Sequence, residues 1–509
     1  MYLYYKMETL TQSIPTTLTQ SIPTTLTQSI PTTTLSNSGY KFKKQDVSVV
    51  LLQEIKRELT VAPYVPGDYG NNKETKFSLF MESPSKLYIP RFYGIQKLGL
   101  PHSDVLSPGD SISIQFKGSL RPEQVPIEDL FLQSAKTIGG GLISLKCGGG
   151  KTVLALHILA TLKLKTIVIV HKDFLMTQWR DRIQEFLPEA RIGKIQQSTI
   201  DIQDKDIVLA MVQSLSMKEY PKDTFSSFGL SIYDECHHLG AEVFHKSMVK
   251  VATKYTLGLS ATPNRKDGLR KVFEWYIGPI VYMTRDKNQD YIETRIYEYY
   301  SDDPEYCKLE TLWNGKPCMP RMINNICSSI PRREFILDMV RHLYTCGRKI
   351  LILSDRREYL ETTMTTLIQT IGPACAGLYV GGMRPHELRM SQQCDIILGT
   401  FSMASEGMDI PKLNTIILAS PKSDVVQSVG RILREKAESR KFHPLVIDIK
   451  DTHENLSVFS KQCEKRLTYY KQQNHDISVI AMDGTSTKLK KKQNKKKQEV
   501  YQMECLLED

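Results

Sequence analysis

The sequence predicts an α/β protein with two lobes, each built on a parallel sheet. Three observations carry this. From about residue 110, short apolar runs alternate with amphipathic stretches of helical length. The runs are continuously apolar rather than alternating, as strands covered on both faces require. The same β/α alternation restarts after residue 330, so there are two such units rather than one.

In chain order, the first 39 residues read as a disordered arm. The octad LTQSIPTT begins at Leu10, Leu18 and Leu26 and carries no charge, few large apolar side chains and a proline per unit. Such a segment cannot bury enough surface to fold. Residues 40–109 read as a small accessory region. KFKKQDVSVVLLQEIKREL has the pattern of a strand and a short helix, and the aromatic LYIPRFYG (87–94) is assigned to core packing. Residues 110–285 form the first lobe, with strands at GLISL (141–145), TIVIV (166–170), DIVLAMV (206–212), LSIYD (230–234) and TLGLS (256–260). Residues 286–330 are expected to be a linker or insertion. The second lobe, 331–477, has strands at KILILS (349–354), CDIILGT (394–400), TIILAS (415–420) and PLVIDI (444–449), and 478–509 is a basic tail.

Composition narrows the class. The 509 residues are 41% hydrophobic and 24% charged, with a net charge of +11. This fits a folded protein with a weak preference for polyanions. Seven lysines and no acid fall between Lys488 and Lys497, so much of the excess sits in the tail. No apolar run approaches the roughly 18 to 20 residues that span a bilayer, and no secretory signal is expected. The ten cysteines are scattered with no CxxC pair, which argues against structural zinc and for free thiols.

Four short stretches carry chemistry. LKCGGGKT (Leu145, Lys146, Cys147, Gly148, Gly149, Gly150, Lys151, Thr152) lies between a strand and a helix, the context of a phosphate loop. The glycines let N–H groups turn toward phosphate oxygens, and the helix adds its positive end. Lys151 is assigned to the β- and γ-phosphates and Thr152 to Mg²⁺. Leu145 departs from the usual glycine. Asp234 and Glu235 end an apolar run; Asp234 is assigned to the Mg²⁺ shell and Glu235 to the base that activates water. His237 is a candidate relay. A metal site from the adjacent Cys236, His237 and His238 is disfavoured, because sequence neighbours diverge in direction. Ser260, Ala261 and Thr262 follow a strand and are candidates for coupling this site to the second lobe. In QSVGRILR, Gln427, Arg431 and Arg434 belong to the second lobe; the arginines, three apart, share a helical face and suit stabilisation of transition-state charge.

With LRPEQ (120–124), IVHKDFLMTQW (169–179) and GTFSMASEGMDIP (399–411), these motifs stand in the order of helicase superfamily 2. The set resembles the DExH subset, and LGLSATPNRKDGL with the Cys-Gly-x-Gly-Lys loop is most similar to the XPB-type branch and its poxvirus transcript-release relatives. PRFYG and the modest size resemble members from large cytoplasmic DNA viruses. The resemblance covers about residues 85–470. It implies two RecA-like lobes, ATP and Mg²⁺ as cofactors, and single- or double-stranded nucleic acid as partner. By the same resemblance Gln124 reads adenine, and Ser260–Thr262 links hydrolysis to unwinding. Gly407 and Asp409 lie at the lobe interface, and Thr400 and Glu406 meet the strand. His171, Lys172, Gln178 and Trp179 match the element that tracks the nucleic-acid backbone.

The expected activity is an ATP-dependent helicase or translocase acting in viral transcription, in the host cytoplasm or the virion, with no membrane partner. The alternative is a transcription-complex remodeller or transcript-release factor that translocates without separating strands. A metabolic phosphate-loop kinase leaves the second lobe unexplained.

Overall fold

The computed structural model describes residues 31–62, 76–145, 148–235, 241–261, 270–284, 291–408, 410–435 and 437–489. The apolar runs become the centres of two eight-stranded sheets. In the first, the strands lie in the order Thr199–Asp201, Ile192–Gln196, Ile207–Met211, Thr166–Val170, Leu230–Asp234, Tyr255–Ser260, Gly140–Ser144 and Ile280–Met283. All neighbours are parallel except the outermost pair at 192–201. Register decides what meets at the rim. Ser144 stands opposite Ser260, and Asp234 opposite Leu259. Three strand ends, and the loops that leave them, are therefore brought level at one carboxyl edge.

Helices cover both faces. Lys151–Leu162 buries Leu154, Ala155, Leu156, Ile158 and Leu159 completely, so it is a core helix rather than a surface one. Helix Asp173–Phe186 buries Leu175, Trp179 and Ile183, a stripe at four-residue spacing.

The second sheet runs Ala376–Tyr379, Ile396–Gly399, Ile350–Leu353, Thr415–Leu418, Leu445–Asp451, Glu293–Tyr299, Asp476–Ile480 and Ser486–Lys488, parallel except for the last pair. It corrects two expected boundaries. Residues 293–299 lie inside the stretch expected to be linker, yet they form an interior strand between 445–451 and 476–480. Residues 476–488, assigned largely to the tail, close the same sheet, with Lys488 paired to Asp476 at 2.9 Å. Two lobes with parallel sheets are thus present as the sequence predicts.

The accessory region is a five-stranded sheet in the order Met81–Glu82, Lys86–Ile89, Gly39–Lys43, Thr33–Ser36 and Ser103–Asp104. Thr33, the last residue of the third octad, belongs to a strand, Thr33–Ser36, so the end of the expected arm is folded. The rest of the octad array, apart from 31–33, and the tail beyond 489 lie outside the described residues. Phe92 and Tyr93 of LYIPRFYG are buried, and the Tyr93 ring meets Trp275 of the first lobe edge-on at 5.2 Å. Tyr40 and Phe42 share one apolar core with Ile169 and Phe244, so the accessory sheet and the first lobe fold as one body.

Candidate functional site

The phosphate-loop candidate leaves strand Gly140–Ser144 and enters helix Lys151–Leu162. Leu145 is buried and continues the sheet by donating its N–H to Ser260 O at 3.0 Å, which accounts for an apolar residue where the pattern has glycine. Lys146 and Cys147 lie outside the described residues. Gly148 and Gly150 take φ of +77° and +72°, left-handed values that a Cβ disfavours. A Cβ on Gly148 would meet nothing within 4 Å, whereas one on Gly150 would strike Gln124 Nε2 at 2.6 Å. The loop is therefore open on one side and packed on the other. Gln124 does the packing: its Nε2 donates to Gly149 O at 3.1 Å and Gly150 O at 3.2 Å, and its Oε1 accepts from Arg121 N–H. Its amide braces the loop here, and the adenine contact implied by the resemblance would require these bonds to be exchanged. Thr152 is half-buried in the helix's first turn.

Lys151 reaches across to the next strand end. Its Nζ lies 3.1 Å from Glu235 Oε1 and 3.4 Å from Leu145 O. Glu235 has a left-handed backbone, φ +45°, a conformation costing of order 1 kcal/mol or more for a residue with a Cβ. Its other oxygen accepts from Ala261 N–H at 3.4 Å. Asp234 is buried and accepts a 2.8 Å hydrogen bond from Trp179 Nε1. Burial pushes the Asp234 carboxyl up to about 6, and the adjacent Glu235 charge adds to the rise; Trp179, Lys151 and His171 oppose it. The rim thus gathers a cation, two carboxylates and a helix N-terminus beside Ser260 and Ala261. Thr262 and His237 lie outside the described residues, as do Cys236 and His238.

The structure corrects one assignment outright. Trp179, expected to track nucleic acid, is 1% exposed and points inward at Asp234. Its place in the buried Leu175/Trp179/Ile183 stripe was a readable signal of this. His171 is also buried, with its carbonyl accepting from Gln213 Nε2 at 2.9 Å. Lys172 and Gln178 are partly exposed, and Lys172 precedes the helix in extended conformation.

In the second lobe, Thr400 precedes helix Phe401–Gly407, whose last turn contains Glu406 and Gly407; Asp409 lies outside the described residues. Gln427 and Arg431 are buried, and Arg431 Nη1 donates to Met408 O at 2.8 Å. Arg431 stands in a 3₁₀ turn, Gly430–Leu433, that Arg434 ends. Three residues make one turn there, so the expected shared face holds for a different helix type. The lobes touch where Phe174 packs into both the first-lobe core and the core around Phe401.

Sequence reasoning missed two buried arginine–aspartate pairs of the second lobe. Arg332 binds Asp451 through Nε (2.7 Å) and Nη2 (3.1 Å), and donates Nη1 to Ala419 O at 2.7 Å. Arg466 binds Asp448 likewise, at 2.8 and 2.7 Å, and donates Nη1 to Lys422 O. Both pairs are at most 2% exposed. They grip the segment that leaves strand Thr415–Leu418 and leads to Gln427. Among the described residues, no group of three or more His, Cys, Asp or Glu is arranged to hold a metal ion. No helix among them is long and apolar enough to cross a membrane.

Comparison with known proteins is consistent with this geometry. Residues 117–265 match the family described as type III restriction enzyme, res subunit. Protein L396 of Acanthamoeba polyphaga mimivirus, described as a candidate ATP-dependent RNA helicase, is 35% identical over 451 residues, covering 87% of this chain and 86% of its own length. Protein QP509L of African swine fever virus, described in the same words, is 27% identical over 70% of this chain and 73% of its own. The candidate helicase 161L of Invertebrate iridescent virus 6 is 25% identical over 71% of this chain and 83% of its own. The chain belongs to the family of these viral proteins, the superfamily 2 helicases, and is a nucleic-acid-dependent ATPase that works as a helicase or translocase.

Proposed function

We propose that ATP is hydrolysed at the rim formed by the phosphate loop, Asp234 and Glu235, with Arg431 and Arg434 completing the site from the second lobe. The observation that carries this is the Lys151–Glu235 contact at 3.1 Å beside a carboxylate held by Trp179. In this arrangement the Lys151 ammonium occupies the carboxylate that must later act as base. Moving Lys151 onto the β- and γ-phosphates frees Glu235. Glu235 then accepts a proton from water as the water oxygen attacks the γ-phosphorus and the bond to the β-phosphate oxygen breaks. Thr152 and Asp234 are suited to hold Mg²⁺, which needs only one or two protein oxygens besides phosphate and water, and which would neutralise the phosphate charge.

The nucleic acid is read as lying across both lobes, near Lys172 and Gln178 on one and Thr400 and Glu406 on the other, with contacts chiefly to phosphate. Closure around ATP and opening after hydrolysis would advance the strand past one lobe. A role in viral transcription, in the host cytoplasm or the particle, is part of this reading; the relatives support only that the chain is similar to helicases encoded by viruses. L396 and QP509L are described as RNA helicases, which places RNA beside DNA as a substrate to test. Lys151→Ala and Glu235→Gln should each abolish ATP hydrolysis and leave the thermal unfolding profile of a folded protein. Full hydrolysis by either folded variant contradicts the assignment.

A further inference from the structure

We infer that Trp179 is a positioning residue, through which helix Asp173–Phe186 transmits nucleic-acid binding to Asp234. The inference rests on the reading of Asp234 and of the strand contacts given above, and adds a physical link between them.

Three features of one helix carry it. At its inner face, the Trp179 indole N–H donates to Asp234 Oδ2 at 2.8 Å, with the indole 1% and the aspartate 7% exposed. Burial shields such a bond from most competition by water, so its length and direction follow the helix position. At its outer face, Phe174 and Gln178 lie four residues apart and share a side. Phe174 packs into the second-lobe core that also contains Phe401, next to Thr400. At its N-terminus, Lys172 stands in extended backbone with its Nζ 5.8 Å from the Phe174 ring. Trp179 is the residue after Gln178, turned about 100° around the axis toward the sheet. A single 14-residue helix therefore touches the catalytic rim, the other lobe and the strand-facing surface.

A helix moves as a rigid rod. A strand held between Lys172 and the second lobe, or closure of that lobe onto Phe174, shifts the whole rod, and the Trp179 N–H moves with it. Asp234 lies at the end of a fully buried strand and stays. The hydrogen bond is thus the part of the site whose geometry responds to the polymer. Without it, Asp234 loses its one indole donor and with it the means of sensing the strand.

Two substitutions separate this role from packing. Trp179→Phe keeps most of the buried ring and removes the donor. Trp179→His keeps a ring nitrogen at the position of Nε1, because imidazole superimposes on the five-membered ring of indole, but leaves a cavity. In the full-length chain, ATP turnover would be measured with and without single-stranded DNA and RNA homopolymers, together with polymer affinity and thermal unfolding. Trp179→Phe should lose roughly tenfold of the stimulation by polymer, the scale of one hydrogen bond to a charged group. Its polymer affinity should be unchanged. Trp179→His should keep more of the stimulation than Trp179→Phe despite lower thermal stability. Equal stimulation in wild type and folded Trp179→Phe overturns the inference, as does a ranking in which stimulation follows stability alone. Asp234→Asn is the control: if it hydrolyses ATP normally, the reading of the site fails, whereas a dead Asp234→Asn beside a normal Trp179→Phe removes only the inference.

Discussion

In the first lobe the reactive groups hold one another: Lys151 sits on Glu235, Glu235 on the Ala261 N–H, and Asp234 on Trp179. In the second lobe the segment that leads to Gln427 and the arginines is held by groups outside the proposed site. Arg332 and Arg466 spend two donors each on a carboxylate and the third on the backbone at Ala419 and Lys422. Asp448 and Asp451 are three apart on one strand, hence on opposite faces of the sheet, so the segment is gripped from both sides. Lys422 adds a bond to Asp355 at 2.6 Å. The difference suits the task. On the proposed mechanism the first-lobe cluster rearranges in each turnover, because Lys151 leaves Glu235. On the same proposal the second-lobe arginines need only arrive in the same place each time the cleft closes, a task that a buried, fully bonded support suits.

The sharpest way to break the comparison is at the arginine itself. Arg431→Ala should lower kcat by about 10³-fold, the scale of an arginine finger, with a smaller change in the KM for ATP. Steady-state kinetics check it, and an unchanged kcat would remove the second lobe from the chemistry. The support comes next. Arg332→Ala leaves Asp451 buried without its cation and should cost about 3–5 kcal/mol in denaturant unfolding. The pair Arg332→Met with Asp451→Leu should restore most of that stability while kcat stays depressed, because the grip on Ala419 is gone. Recovery of both together would mean the pair serves the fold alone.

A smaller effect distinguishes the second lobe by pH. His475 is buried between Tyr470 and Thr294, its Nδ1 2.8 Å from Thr294 Oγ1, and burial depresses it to about 4. A histidine whose folded-state value is depressed binds its proton more readily when unfolded. Stability is therefore complete above about 6.5 and lost as pH falls toward 4, by about 3 kcal/mol at most. His475→Gln should flatten urea-unfolding stability over that window, and an unaltered slope would show that other groups set it.

How much of this was legible in the sequence depends on the range of the interaction. Strands such as Thr166–Val170 and Leu230–Asp234 were readable because complete burial demands an unbroken apolar run. Glu293–Tyr299 was not: ETRIYEY alternates and carries three charges, yet it lies inside the sheet, where Arg295 pairs with Glu293 at 2.7 Å. That Lys151, Asp234 and Glu235 meet at one rim followed from motif spacing, since each motif places its residues at a strand end. The Arg332–Asp451 pair spans 119 residues and belongs to no motif. For the companion pair the sole local sign was Asp448, the partner of Arg466, inside the apolar run PLVIDI, which a buried strand tolerates only with a partner. Trp179 was assigned by motif alone, and the burial stripe of its own helix decides its direction. Net charge said least, and its first tail lysine, Lys488, turned out to close a sheet.

The measurement that tests the account most directly is ATP turnover by the full-length chain, without polymer and with single-stranded DNA, duplex DNA and RNA side by side. At least one polymer should raise turnover, and Glu235→Gln should abolish it under every condition. Equal turnover in all four conditions, or a Glu235→Gln variant that keeps wild-type rates, would contradict the account.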